Sequence, residues 1–321
     1  MKREISRRSL LGTGLAVSTT GLLAGSTLTG LPATATPPNE NDATRSADAA
    51  ASAQTYGAAY EELRKLEREH GARLGVYATN TLTGATIAYR ADERFALCST
   101  FKLLAAAAIL RDRDCDGEFL DRVIHYTKKD LVVNSPITEK HVGKGMRVAD
   151  LCHAAICYSD NTAGNLLLRQ IGGPYGITRF CRSMGDLYTR LDRYEIELNT
   201  AIPGDVRDTT TPGSMGANLR RLVLGNALTP ADRDQLTAWL KANTTSKKRF
   251  GAGLPAGWTL ADKTGSGDYG TANDVGVTWT TAGTPLVLAV YTTKPAQDAI
   301  WDDALVANTA RLLAKTLAPG E

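Results

Sequence analysis

The sequence predicts an α+β fold (α/β in the broad sense): an antiparallel five-stranded sheet flanked by the terminal helices, with an all-helical lobe inserted between its strands. Three observations carry that expectation. Strand-like runs lie near the two ends of the folded region, "RLGVYATN" and "GATIAYRA" early, then "GWTLADKTG", "DVGVTWTTAG" and "PLVLAVYTT" late. Between Ser99 and about Leu240 the pattern is mostly helical and broken by loops. Helical patterns also border the strands, at "YGAAYEELRKLEREHG" and at "DDALVANTARLLAKTL", so strands from both ends are expected to build one sheet. The 321 residues are enough for one large domain or two small ones sharing a core, and 43% hydrophobic with 22% charged residues is the balance of a globular protein.

Taken in chain order, residues 1–35 are expected to be removed. "SRRSLLG" (Ser6 to Gly12) precedes a weakly apolar Gly/Thr/Ser-rich stretch and the small residues Ala33 to Ala35, a pattern similar to a twin-arginine export signal. It implies the twin-arginine export machinery as a partner and a secreted product, periplasmic if the source has an outer membrane. Lys2, Arg3, Arg7 and Arg8 against Glu4 account for the chain's formal charge of +3, so the mature protein is near neutral and lacks the electrostatic footprint of nucleic-acid binding. Residues 36–54 are rich in Pro, Ala, Asp and Ser and read as a disordered leader. The folded unit is therefore expected over 55–318, with a sheet lobe of 55–98 and 250–318 and a helical lobe of 99–249. Five cysteines, Cys98, Cys115, Cys152, Cys157 and Cys181, are an odd number and read as buried small hydrophobes rather than a disulfide framework. "CHAAIC" has no zinc spacing, and no metal or other cofactor is expected. With no strongly hydrophobic surface helix in evidence, a monomer is expected.

The chemistry starts at "CSTFKLLAAAAIL". Ser99 and Lys102 are three apart and share a helix face. A helix beginning at Ser99 would set the hydroxyl where unpaired N–H groups favour an oxyanion, and an amine lined by Phe101, Leu103 and Leu104 would lose solvation, have its pKa lowered and serve as a base. Ser-x-x-Lys alone is weak, expected roughly once by chance in such a chain, and a plain ion pair would explain the lysine. "YSDNTAGN" adds Ser159, Asp160 and Asn161, and "ADKTGSGDYG" adds Lys263, Thr264 and Gly265.

These three motifs, in this order and spacing over residues 55–318, resemble the set shared by class A serine β-lactamases and penicillin-binding proteins. The resemblance implies a β-lactamase/transpeptidase-like fold, β-lactam antibiotics as substrates and Ser99 as nucleophile. Ser159 would relay a proton to the leaving amine, Asn161 would offer its amide to substrate and to Lys102, and Asp160 would hold the loop. Lys263 and Thr264 would meet the substrate carboxylate, with Gly265 allowing a close approach to the backbone. The N–H groups of Ser99 and Ser266 would form the oxyanion hole.

"RYEIELNTAIPGDVRDTTTP" (Arg193 to Pro212) resembles the omega loop of the class A enzymes. On that match Glu195 is the general base of deacylation, Asn199 holds the hydrolytic water, and Arg193 with Asp208 closes the neck of the loop. Whether Lys102 or Glu195 takes the proton in acylation stays open. Ala272 stands where many relatives carry a substrate-binding arginine. "KKRFG" supplies Arg249 instead, as in actinobacterial class A enzymes, against the alternative of a solvated basic cluster with Lys247 and Lys248. Asn134 replaces a usual aromatic at the cleft rim, and Cys98 reads as packing because Gly267 stands where some relatives have a partner cysteine. "KTGSG" with Cys98 resembles enzymes accepting oxyimino-cephalosporins. The rival readings are a D,D-peptidase of the cell wall and a penicillin-binding sensor that acylates without turnover.

Overall fold

The structure is a computed structural model that describes residues 40–321, with side chains described from Gln54 onward. The expected signal segment, 1–35, lies outside the described residues. In chain order the helices are α1 (Glu40–Glu69), α2 (Phe101–Asp112), α3 (Val148–Cys157), α4 (Asn161–Gln170), α5 (Pro174–Ser183), α6 (Pro212–Leu219), α7 (Pro230–Lys241), α8 (Phe250–Gly253) and α9 (Asp303–Leu317). The strands are β1 (Arg73–Asn80), β2 (Thr86–Tyr89), β3 (Phe95–Ala96), β4 (Val123–Ile124), β5 (Met146–Arg147), β6 (Thr209–Thr210), β7 (Thr259–Gly267), β8 (Thr271–Trp279) and β9 (Pro285–Thr293).

Five strands form one antiparallel sheet in the order β2-β1-β9-β8-β7, which bears out the expected fold class. Side chains alternate across it. Leu74, Val76 and Ala78 of β1 and Leu286, Leu288 and Val290 of β9 join Leu63, Leu66, Leu305 and Leu313 of the terminal helices in one core. Val287, Ala289 and Tyr291 of β9 face the opposite core, with Leu103, Leu104 and Met215. Burial on both faces explains why β9 reads as an unbroken apolar run rather than an alternation.

Two expected boundaries need correction. Helix α1 begins at Glu40, inside the stretch 36–54 that the sequence suggested was a disordered leader. The alanines at 43, 47, 49, 50, 51 and 53 have the highest helix propensity, which operates without an apolar stripe. The stretch 99–249 is likewise not wholly a helical lobe. β6 pairs with β3, and α6 returns to pack on β9, β1 and β8. Gly216 makes this return possible, because a Cβ there would lie 2.2 Å from the Tyr77 ring.

A Gly216→Ala variant must therefore push α6 off the sheet. Overpacking of this kind costs about 1–3 kcal/mol, or roughly 2–10 °C in Tm for a domain of this size. Thermal melting should show that loss. An unchanged Tm would mean that α6 is not seated on Tyr77 as described.

Candidate active site

The nucleophile candidate sits on a short turn rather than in the body of a helix. β3 leads into a 3-10 turn, Cys98–Thr100, which runs directly into α2. Cys98 takes a left-handed backbone with φ of 44°, and the Leu97 N–H is held by the Asp208 carbonyl at 2.8 Å. Asn273 donates from Nδ2 to the Ala96 carbonyl at 2.8 Å, fixing the strand that enters the turn. Ser99 lies almost wholly buried in that turn, two residues ahead of the helix that the sequence reading begins at Ser99 itself.

Lys102, one turn on, is fully buried but not in an apolar lining. Its Nζ lies 2.9 Å from Ser99 Oγ, 2.8 Å from the Ser159 carbonyl, 2.7 Å from Asn161 Oδ1 and 2.9 Å from Glu195 Oε1. The last of these is a salt bridge between two completely buried side chains. Four oxygens around one nitrogen suit an ammonium with three protons to give, and they correct the picture of an amine desolvated by Phe101, Leu103 and Leu104. The side chain passes beneath α4 at Gly164, where a Cβ would stand 2.9 Å from Lys102 Cε.

The second motif forms the floor. Asp160 caps α4 by accepting from Ala163 N at 2.9 Å, and it also accepts from Ile137 N, Thr138 N and Thr138 Oγ1 at 3.0, 3.0 and 2.8 Å. All of its bonds are internal, the holding role expected of it. Asn161 accepts from Lys102 and donates to the Val133 carbonyl at 2.9 Å, leaving one amide proton for another partner. Asn134 is exposed at the rim with a left-handed backbone.

Arg193 and Asp208 meet at the neck of the loop that carries Glu195. Arg193 Nε donates to Asp208 Oδ2 at 2.5 Å, and Asp208 Oδ1 accepts from the N–H groups of Asp192 and Arg193 at 2.7 and 2.9 Å. Glu195 is buried, with Oε1 at 3.4 Å from Ser99 Oγ and Oε2 bound by Asn199 Nδ2. A residue that sequence reasoning missed holds its backbone. Asn165 accepts from Glu195 N at 2.8 Å and donates to its carbonyl at 2.9 Å. Asn165 lies four residues after Asn161 on the same face of α4, a helical spacing that could have pointed to it.

The third motif lines the other wall, on the edge strand β7. Lys263 is fully buried and donates to Ser159 Oγ at 3.1 Å and to the Thr264 carbonyl at 2.8 Å. Burial, then the nearby Lys102 charge, lower its pKa to about 7, against the opposing pull of Asp262 and Asp274. Thr264 Oγ1 shares a hydrogen bond with Thr245, another residue not foreseen. Gly265 is required by the chain itself: a Cβ there would stand 3.0 Å from the Leu97 carbonyl and 3.2 Å from Ser99 N. At Gly267 a Cβ would lie 2.5 Å from the Asn199 carbonyl and 2.8 Å from Cys98 Sγ, so β7 closes on both the turn and the loop. Cys98 itself is fully buried and free, and burial pushes its thiol pKa far up, as packing requires.

Arg249 is buried while Lys247 and Lys248 are exposed, which removes the solvated-cluster alternative. It is paired with Asp303 at 2.7 Å and donates to the Gly265 and Asn273 carbonyls at 2.7 and 2.8 Å and to Ser266 Oγ at 2.6 Å. The guanidinium thus braces β7 from behind and reaches the cleft side through the Ser266 hydroxyl. The Asp303 partner lies far along the chain and had no sequence signal.

Removing the Asn165 amide would strand a buried N–H and a buried carbonyl, at about 1–3 kcal/mol each. An Asn165→Ala variant should therefore be cut faster by limited proteolysis within 193–208, with a lowered Tm. Unchanged cleavage in that segment would show that Asn165 does not anchor it.

The β-lactamase enzyme family matches residues 58–317 of this chain. A β-lactamase of Streptomyces lavendulae is 57% identical over 260 residues, covering 80% of this chain and 85% of that protein. The carbapenem-hydrolyzing β-lactamase KPC of Klebsiella oxytoca is 51% identical over 253 residues, covering 78% and 86%. Among solved structures, the β-lactamase from Streptomyces albus G superposes with a TM-score of 0.80 at 56% identity, covering 81% of this chain and 99% of that one.

Proposed function

The chain belongs to the β-lactamase enzyme family, whose members hydrolyse β-lactam antibiotics and so give resistance to them, and from that premise we propose that it is a class A serine enzyme working through an acyl-enzyme on Ser99. The single observation that carries the reading is Lys102 Nζ joining Ser99 Oγ to the Glu195 carboxylate inside one buried cluster.

In this reading Ser99 Oγ attacks the β-lactam carbonyl carbon while its proton passes to Glu195, since Lys102 already spends its protons on four oxygens. The negative oxygen is received by the Ser99 and Ser266 N–H groups, an assignment supported by the close approach of Gly265 to Ser99 N. The C–N bond then breaks, and the ring nitrogen takes the Ser159 hydroxyl proton, which the proton held on Glu195 replaces by way of Lys102 while the Lys263 ammonium steadies Ser159 Oγ from 3.1 Å, so that Glu195 is a carboxylate again before water arrives. Lys263 and the Thr264 hydroxyl bind the substrate carboxylate, with Arg249 acting through Ser266.

Deacylation needs water delivered to the ester. Glu195 removes its proton, the hydroxide oxygen adds to the acyl carbon, and Ser99 Oγ leaves and regains a proton. Asn199 is assigned to the water because its Nδ2 is bound to Glu195 while its buried Oδ1 meets no donor among the described residues. The substrates proposed are penicillins and cephalosporins. Export by the twin-arginine route and secretion rest on the sequence around Ser6 to Gly12, and a monomeric state rests on the lack of a strongly hydrophobic surface helix in the sequence pattern.

Mature protein mixed with benzylpenicillin should form many product molecules per enzyme with little adduct by intact mass. Glu195→Gln should accumulate a persistent penicilloyl adduct on Ser99, with turnover slowed by about a hundredfold or more, the size of a lost general base. A single stable adduct in the unmutated protein would instead favour the penicillin-binding or sensor reading. Full turnover by Glu195→Gln would remove Glu195 from deacylation.

A further inference from the structure

The strand that leads into the Ser99 turn and the loop that carries Glu195 border a cavity of about 420 Å³ to which the mechanism above gives no role. That volume is in the range of small-molecule sites. Phe95 and Ala96 line it from β3, and Ile202, Pro203 and Val206 line it from the loop. Ile202 and Val206 are 45% and 48% exposed, so part of this apolar lining faces water.

The charged side chains of the lining do not cancel. Glu93 is paired with Arg73 at 2.6 Å, which holds its carboxyl below the usual range, and Asp205 is paired with Arg207 at 2.7 Å, which holds its carboxyl at about 2. Arg94 is the remaining cation, and it meets no carboxylate among the described residues. Its Nη1 donates to the Tyr188 carbonyl at 2.8 Å and to Thr209 Oγ1 at 3.0 Å, while Nε and Nη2 donate to no described residue. An unspent edge of a guanidinium fits a carboxylate, and here it stands beside an apolar surface.

We propose that this cavity is a second binding site, for a small organic acid whose carboxylate sits on the free edge of Arg94 and whose apolar body lies between Phe95 and Val206, and that its occupancy holds the Glu195 loop against β3. Both linings run on into the cluster around Lys102. Ala96 pairs with Thr209 across β3 and β6 and stands three residues before Ser99. Ala201, also in the lining, takes a left-handed backbone with φ of 44° and follows Asn199 by two residues. Between them Thr200 accepts from Arg193 Nη1 at 3.0 Å, at the neck of the loop. A ligand touching both sides must leave before the segment 201–207 lifts away, so binding opposes that local opening by mass action.

Phenylacetate is the probe, and phenylacetamide is its neutral counterpart. In isothermal titration of the purified protein, phenylacetate should saturate with a Kd of about 1 mM, the scale open to about ten non-hydrogen atoms. The amide brings no charge to Arg94 and should bind about tenfold more weakly. Val206→Asp sets a second carboxylate in the lining at a half-exposed position, and should weaken phenylacetate about tenfold by repulsion. At about ten times its Kd, phenylacetate should slow limited proteolysis within 193–208 about tenfold in the unmutated protein, and only about twofold at the same concentration in Val206→Asp. Absence of saturation, or equal binding of the amide, would overturn the proposal, and both are read on the unmutated protein whatever the stability of the variant. Undiminished binding by Val206→Asp would place the acid elsewhere and overturn it too, as would unchanged cleavage at saturation. No readout uses turnover, so failure here is distinct from failure of the reading of Ser99 and Glu195.

Discussion

The Lys102 ammonium is the contact on which the site depends. It reaches the Ser99 turn, the Ser159–Asn161 loop and the Glu195 loop from one nitrogen, and it does so with no exposed surface. Burying an ammonium and a carboxylate is costly, and removing either partner leaves an unpaired charge worth about 3–5 kcal/mol. Three segments far apart in sequence are therefore held in one arrangement by a single electrostatic demand. Gly164 supplies the space through which the side chain arrives.

Backbone proximity does the rest. β7 lies so close to the Ser99 turn and to the Glu195 loop that Gly265 and Gly267 admit no Cβ without displacement of a neighbouring carbonyl. The Asp208 carbonyl joins the neck of that loop to Leu97, two residues before Ser99. The Ser99 turn, the Glu195 loop and β7 thus share a common backbone framework, and Arg249 with Asp303 ties that framework to α9. A group held this firmly needs little reorganisation when charge develops during reaction.

What could be read from the sequence was what is encoded over short spans. Ser99 with Lys102, Ser159 to Asn161, Lys263 to Gly265 and the Arg193–Asp208 stretch each carry their spacing locally, and the structure brings all four together. The unread residues act across the fold. Asn165 matters only because the Glu195 peptide docks on α4, Asp303 only because α9 passes behind β7, and Thr245 only because its loop reaches Thr264. Lys102 was misjudged in its surroundings because its neighbours in sequence are apolar while its neighbours in space are oxygens. The sheet was legible from its alternating and continuous apolar runs. The return of α6 to that sheet was not, since a helix carries no mark of which layer it will join.

Neutron diffraction from the mature, unliganded enzyme at neutral pH tests the central claim most directly. The account predicts three deuterons on Lys102 Nζ and none on either oxygen of Glu195, an ammonium holding a carboxylate ready to accept the Ser99 proton. A neutral Lys102 amine beside a deuterated Glu195 carboxyl would contradict it, and would return the role of base to the lysine.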